Sequence, residues 1–326
     1  MNMSKTEVHV LLAGDAGIVP GLFVTIASLV ENCDPTRNIV IHFMDTGISE
    51  NDTDALRKFI VPFHNVSIEI YAVDLSPFHG ANTYRGSYGA YARLLVQRYV
   101  DAARVIYVDT DFLFMRDAAE LFDMDMKSNV VLATETPMIP TLADDCPFLS
   151  TDETKGEPYL NSGILLIDLV RWKRLGCESR ILELLRQPIE LEHHDQTLLN
   201  FVLRRNWGRL DSSWGLLLIH DTDSPDQTNF HFGGGGVKPW KKGCHYSSAP
   251  IWWAYYDRFV RPYYRFKDDD KIRDNTMRLL LYAHVLIKFA PLLRLVFSDA
   301  KIARMKKRDA HYKLMKATAM HVCQMS

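Results

Sequence analysis

Six short apolar runs, Val8–Ala13, Ile39–Met44, Ile68–Val73, Val105–Val108, Val130–Ala133 and Ile164–Ile167, punctuate residues 8–167 of the chain, with helical or irregular sequence between them. Each has strand length and is rich in Val, Ile or Leu, the composition of strands covered on both faces. Ile18, Leu22, Ile26 and Leu29 follow the first run at helical spacing, and Ser49 with Asp52 three residues on marks a second helix start. Strands alternating with helices need crossover connections, which build a mainly parallel α/β sheet with helices on both faces. In such sheets ligands gather beyond the carboxyl ends of the strands.

One of those ends is unusual. Val105-Ile106-Tyr107-Val108 runs into Asp109-Thr110-Asp111 before Phe112-Leu113-Phe114, so two carboxylates interrupt an apolar run. Burying two charges is costly unless a counter-charge meets them. Residues i and i+2 of a strand share a side, so Asp109 and Asp111 can converge on one hard divalent cation, and such a cation suits a phosphorylated substrate.

With 326 residues and 47% hydrophobic content, the chain can bury a large core. Its net charge of -2 conceals an asymmetry, because residues 258–326 hold 16 Lys or Arg against 6 Asp or Glu. An acidic body with a basic tail argues against nucleic acid as partner and for a tail that meets an anionic surface. Residues 1–253 are expected to form the catalytic body and residues 254–326 a helical, basic region. From Asn275 to Ser298 the sequence is apolar but broken by His284, Lys288, Pro291 and Arg294, a poor membrane span. It reads either as a packed helix or, with the basic run Lys301–Arg308, as peripheral contact with anionic membrane. The widely spaced Cys33, Cys146, Cys177, Cys244 and Cys323 form no CxxC pair and read as reduced thiols. No secretory pattern opens the chain, so the expected location is cytoplasmic, at the inner face of the cytoplasmic membrane.

Four further segments carry chemistry. Leu11-Leu12-Ala13-Gly14-Asp15-Ala16-Gly17 ends the first strand without either glycine signature of dinucleotide or P-loop sites; Asp15 could cap a helix or accept a hydrogen bond from uracil N3–H. Asn161 in Tyr159-Leu160-Asn161-Ser162-Gly163 offers a donor and an acceptor to sugar hydroxyls, or belongs to an ordinary turn. His193-His194-Asp195-Gln196 opens a helix, with Asp195 placed to cap it and Gln196 able to face a sugar; adjacent helical positions diverge, so the two histidines should not share a metal. Finally, His231 precedes Gly233–Gly236 and Lys238, a combination of metal ligand, phosphate-cradling backbone and positive charge, or a flexible loop. Residues 135–158 read as a long loop or lid.

Taken together, these residues resemble glycosyltransferase family 8, the retaining nucleotide-sugar transferases that include bacterial lipopolysaccharide galactosyl- and glucosyltransferases and glycogenin. The resemblance runs in consistent order from Val8 to Trp240. It implies a GT-A fold, a UDP-hexose donor and Mn2+, with Mg2+ as substitute. It implies Asp109, Asp111 and His231 as metal ligands, Ala13 and Asp15 at the uridine, and Lys238 with Gly234 and Gly235 at the diphosphate. Arg93, in Tyr91-Ala92-Arg93-Leu94, is implied at the donor, with Asn161, Asp195 and Gln196 around its sugar. Two departures stand out: the glycine loop is one residue longer than usual, and Gly17 stands where many members have Asn.

The expected reaction is hexosyl transfer, of galactose or glucose, to a saccharide acceptor such as lipopolysaccharide core or a lipid-linked glycan. Gln196 is a weak nucleophile beside a carboxylate, which favours departure and attack on one face; Asp195 as nucleophile is the rival. A glycogenin-like self-glucosylating primer, a sugar-nucleotide hydrolase or nucleotidyltransferase, and a non-catalytic binding module are the alternatives.

Overall fold

The computed structural model describes residues 7–83, 86–136, 138–149, 156–187, 189, 191–217, 222–233, 237–288 and 298–324. Its strands are β1 (Val8–Gly14), β2 (Ile39–Asp45), β3 (Val66–Ala72), β4 (Arg104–Val108), β5 (Phe112–Leu113), β6 (Val131–Glu135), β7 (Leu160–Asp168), β8 (Trp207–Arg209), β9 (Leu216–Leu217) and β10 (Phe230–His231). The chain divides into two compact units, one of residues 1–19, 32–110 and 117–215, the other of 20–31, 111–116 and 216–326.

The first unit is built on a seven-stranded sheet of order β3-β2-β1-β4-β7-β6-β8. β1, β2, β3 and β4 pair in parallel, as the alternating pattern predicts, while β7 runs antiparallel to both β4 and β6. An apolar run has no direction in it, so this reversal was not legible. All of β7 except Asp168 is buried, which explains its apolar run Ile164–Ile167. β3 lies at the sheet edge and alternates between half-buried and exposed positions. The core includes Leu11, Tyr91, Leu94, Tyr107, Leu165, Trp172, Leu198 and Val202. Ser49 caps the helix Glu50–Ile60 by accepting from Asp52 N at 3.1 Å, as its spacing predicts. Within 135–158 the described part is more ordered than a plain loop: Thr141 and Asp144 form a capping box on the short helix Leu142–Asp145.

The second unit contains the small sheet β5-β10-β9 and most of the helix Val19–Asn32. Ile18 falls in a preceding 3-10 turn, and residues 22 to 28 are all fully buried instead of showing one apolar face. Helical spacing missed this because Thr25 and Ser28 read as polar. Their hydroxyls bond backbone: Thr25 Oγ1 donates to Phe112 O at 2.7 Å, and Phe114 N donates to Ser28 Oγ at 3.0 Å. Further along, the helix Ala249–Tyr255 packs on the C-terminal helix Asp299–Gln324. Trp252 stacks on Tyr256 at 5.7 Å and meets Trp253 edge-on at 4.9 Å. The helix Asp269–Lys288 covers the start of the interrupted apolar stretch; the side chains of His284 and Lys288, and the whole of Pro291 and Arg294, lie outside what is described. Among the described residues, no helix is long and apolar enough to cross a membrane.

Candidate active site

In the second unit, β5 and β10 pair antiparallel with His231 opposite Phe112, and Phe232 N donates to Asp111 O at 2.9 Å. Thr25, Ser28 and Asn229, whose Oδ1 accepts from Met115 N and Arg116 N at 2.9 Å, fix the backbone that follows Asp111. This locked ladder sets Asp111 Oδ1 3.3 Å from His231 Nε2. Among the described residues, buried Asp111 Oδ1 has no hydrogen-bond partner, a state that costs about 1–3 kcal/mol unless a ligand satisfies it. Oxygen and nitrogen ligands of one octahedral cation stand about 3 Å apart, because metal–ligand bonds are near 2.1 Å. The pair therefore fits a divalent ion. Gly233 belongs to this geometry: a Cβ there would lie 2.6 Å from His231 Nε2.

Lys238 donates from Nζ to Asp111 Oδ2 and, at 2.6 Å, to Phe232 O. Burial would raise the Asp111 carboxyl, but the charges of Lys238 and His231 hold it well below the usual carboxylate range. Gly234 and Gly235 lie outside the described residues.

In the first unit, Arg93 comes from the 3-10 helix Gly89–Leu95 and is 7% exposed. Its guanidinium meets Asp109 Oδ1 at 2.8 Å and Asp195 Oδ2 at 3.1 Å, donates to Ala90 O and Ser162 O, and lies 4.2 Å from the centre of the Tyr107 ring. Burial opposes its charge, and the two carboxylates more than restore it. Tyr107 OH donates to the same Asp109 oxygen at 2.7 Å, and Asp109 N donates to Gly163 O at 2.9 Å. Burial pushes the Asp195 carboxyl up to about 6, despite Arg93, with Asp109 adding to the rise. Asp195 is not the cap its sequence position suggested: it is the first residue of the helix Asp195–Leu203, and His194 occupies the cap position.

Gln196 is held at its amide oxygen. Oε1 accepts from Ser162 N at 3.0 Å and from Ser162 Oγ at 3.4 Å. Asn161, 7% exposed, turns Oδ1 to Gly163 N at 3.0 Å. β7 thus delivers Asn161 and Ser162 beside Arg93 and Gln196. Ala13 and Asp15 lie at the end of β1, where Asp15 accepts from Gly17 N at 2.9 Å and Ser87 Oγ at 2.7 Å. The capping role is thereby seen, though of a 3-10 turn and not of the main helix. Sequence reasoning missed Ser87, Tyr107, Thr25 and Ser28. Tyr107 alone carried a local signal, two residues before Asp109 on the same strand side. The two histidines diverge as expected, His193 onto Asp145 and His194 towards Asn82 and Tyr91.

The model of the family described as Glycosyl transferase family 8 matches residues 9–244. General stress protein A of Bacillus subtilis is 27% identical over 220 residues, covering 65% of this chain and 75% of that protein. Glycosyltransferase GlyF of Streptococcus pneumoniae serotype 4 is 26% identical over 261 residues, covering 76% of this chain; the chain spans 61% of GlyF. Among solved structures, the galactosyltransferase LgtC with donor and acceptor sugar analogs superposes with a TM-score of 0.64 at 22% identity, over 78% of this chain and 96% of that one, a likeness of fold.

Proposed function

This chain belongs to glycosyl transferase family 8, and from that membership we propose that it transfers a hexose, galactose or glucose, from a UDP-hexose to a saccharide acceptor with retention of configuration. The observation that carries the reading is buried Asp111 Oδ1, without a hydrogen-bond partner among the described residues, facing His231 Nε2 at 3.3 Å. Asp109, Asp111 and His231 hold Mn2+ or Mg2+ in this reading. When bound, the cation supplies electrostatic stabilisation of the negative charge that develops on the departing UDP. Lys238 leaves Asp111 for the diphosphate, beside Gly234 and Gly235, while Ala13 and Asp15 receive the uridine.

Arg93, Asn161, Asp195 and Gln196 surround the hexose. Ser162 fixes the Gln196 amide, whose carbonyl dipole can face the electron-poor sugar carbon without forming a bond to it. Asp195 is tied to buried Arg93, which favours same-face departure and attack over a covalent Asp195 adduct. The acceptor is a saccharide at the inner membrane face, lipopolysaccharide core or a lipid-linked glycan. Support comes from the exposed Lys306, Lys307 and Arg308 and from Leu281 and Tyr282, 52% and 68% exposed.

The test supplies UDP-glucose or UDP-galactose with Mn2+ or Mg2+ to wild type and Asp111→Asn, and separates the products by chromatography. UDP release by wild type and its loss in the variant are expected. UMP with sugar phosphate would instead identify a hydrolase or nucleotidyltransferase, and hexose mass added to the protein itself a self-glucosylating primer.

A further inference from the structure

A second hydrogen-bonded constellation lies in the first unit beyond Gln196. The side chain of Asp145 is fully covered, while that of His193 is 38% exposed. His193 Nδ1 lies 2.5 Å from Asp145 Oδ1, and Asp145 Oδ2 accepts from Thr197 Oγ1 at 2.6 Å and from Tyr159 OH at 2.5 Å. A carboxylate only accepts, so Nδ1 carries the proton, and in the neutral ring that tautomer makes Nε2 the acceptor. Among the described residues, Nε2 has no hydrogen-bond partner. Glu192 stands near enough for the three to resemble a metal site, but both Asp145 oxygens already receive hydrogen bonds, and the group is better suited to orienting an imidazole.

The backbone supports a functional reading. His194 adopts φ 52° and ψ -117°, a conformation that a residue with a Cβ adopts only under strain. The bend sends the neighbours of His194 in different directions, Asp195 to Arg93 and His193 to Asp145. From Gln196, one set of contacts therefore leads through Asp195 and Arg93 to Asp109. The other leads through the adjacent Thr197 and Asp145 to His193. The donor's diphosphate belongs with Asp109, which leaves the opposite side to the second substrate.

Resting on the reading as a hexosyltransferase, we propose that His193 Nε2 accepts a hydrogen bond from a hydroxyl of the acceptor saccharide, and that Asp145 is the positioning residue that fixes its ring. Two measurements test this with p-nitrophenyl β-galactoside, β-glucoside and β-N-acetylglucosaminide as probes. In 15N-histidine-labelled protein, at least one glycoside should shift the His193 ring resonance; if none does, the proposal is overturned, whatever the turnover. In turnover with UDP-glucose or UDP-galactose, His193→Ala should raise the KM of that glycoside about tenfold, the loss of one hydrogen bond, with the KM for the UDP-sugar unmoved. His193→Gln, which keeps an acceptor, should recover part of the loss, and Asp145→Asn should raise the acceptor KM. An effect on the UDP-sugar KM alone would place His193 at the donor and overturn the assignment. Absence of UDP release with a shifted His193 resonance would defeat the hexosyltransferase reading and leave saccharide binding at His193 standing.

Discussion

Asp195 Oδ2 lies 3.1 Å from Arg93 Nε, yet the hydrogen on that nitrogen goes to Ala90 O. The pair is held by charge without a shared hydrogen, so the Asp195 carboxylate bears a desolvation cost that Arg93 offsets only in part. Its pKa rises from 3.8 to about 6, so the folded state holds the proton more tightly than the unfolded chain. The stabilisation is full below pH 4 and lost as pH rises through 6. Between pH 4 and 7 the unfolding free energy of Asp195→Asn should therefore gain on wild type by about 3 kcal/mol, measured by urea titration at each pH.

His42 has the opposite sign. Burial first, then His9, lowers its pKa from 6.5 to about 4, against Glu69. The folded state resists the proton, so stability is full above pH 6.5 and falls as pH drops towards 4. His42→Gln should flatten that fall, worth about 3 kcal/mol, in the same titration. An unchanged pH slope would count against a neutral His42 between His9 and Tyr71, at 3.0 Å from each.

Metal binding should register as stability before any turnover is measured. Mn2+ at about a hundred times its dissociation constant adds about 2.7 kcal/mol to a protein that binds it only when folded. Wild type should show the corresponding rise in Tm, and Asp111→Asn and His231→Ala should not. Gly233→Ala should weaken the response, because its Cβ would displace the imidazole.

Thr25→Val keeps the shape of a fully buried side chain and removes the hydroxyl bonded to Phe112. Thermal or urea unfolding should show a loss of about 1–3 kcal/mol. If the hydroxyl sets the backbone after Asp111, Mn2+ affinity of the folded variant should fall as well, in calorimetric titration.

Lys306, Lys307 and Arg308 are exposed on the C-terminal helix, so replacing all three with Glu should spare the fold. Near an anionic surface each cation contributes about 1 kcal/mol. Cosedimentation with vesicles rich in phosphatidylglycerol should fall more than a hundredfold in affinity if this helix makes the contact, and stay unchanged if it does not.

Much of the first unit was legible because strand-length apolar runs and turn residues are local signals. Asp109 and Asp111 stood out because charge rarely interrupts such runs. What escaped was either directionless or distant. The apolar pattern of β7 reads the same in both directions. Asp145 lies 48 positions from His193, and Thr25 lies 87 from Phe112, separations at which a single sequence carries no pairing signal. Buried hydroxyls escaped for a related reason: Thr25 and Ser28 look like a solvent face until the carbonyl or N–H they serve is known. Asp195 misled in the opposite way, since an acid before a helix suggests a cap until a buried arginine claims it.

The reversal of β7 also bears on how this scaffold can vary. β6 ends and β7 begins at one rim of the sheet, with Glu135 opposite Leu160, so residues 136–159 leave and re-enter the sheet at the same place. Lengthening or recomposing that connection would leave every strand pairing beneath it undisturbed, because its two anchor points stay fixed. Asp145 is carried on that segment, whereas Asp109 and Asp195 are not. A wall that can be rebuilt without moving the floor offers a route by which one reaction could be fitted to many recipients.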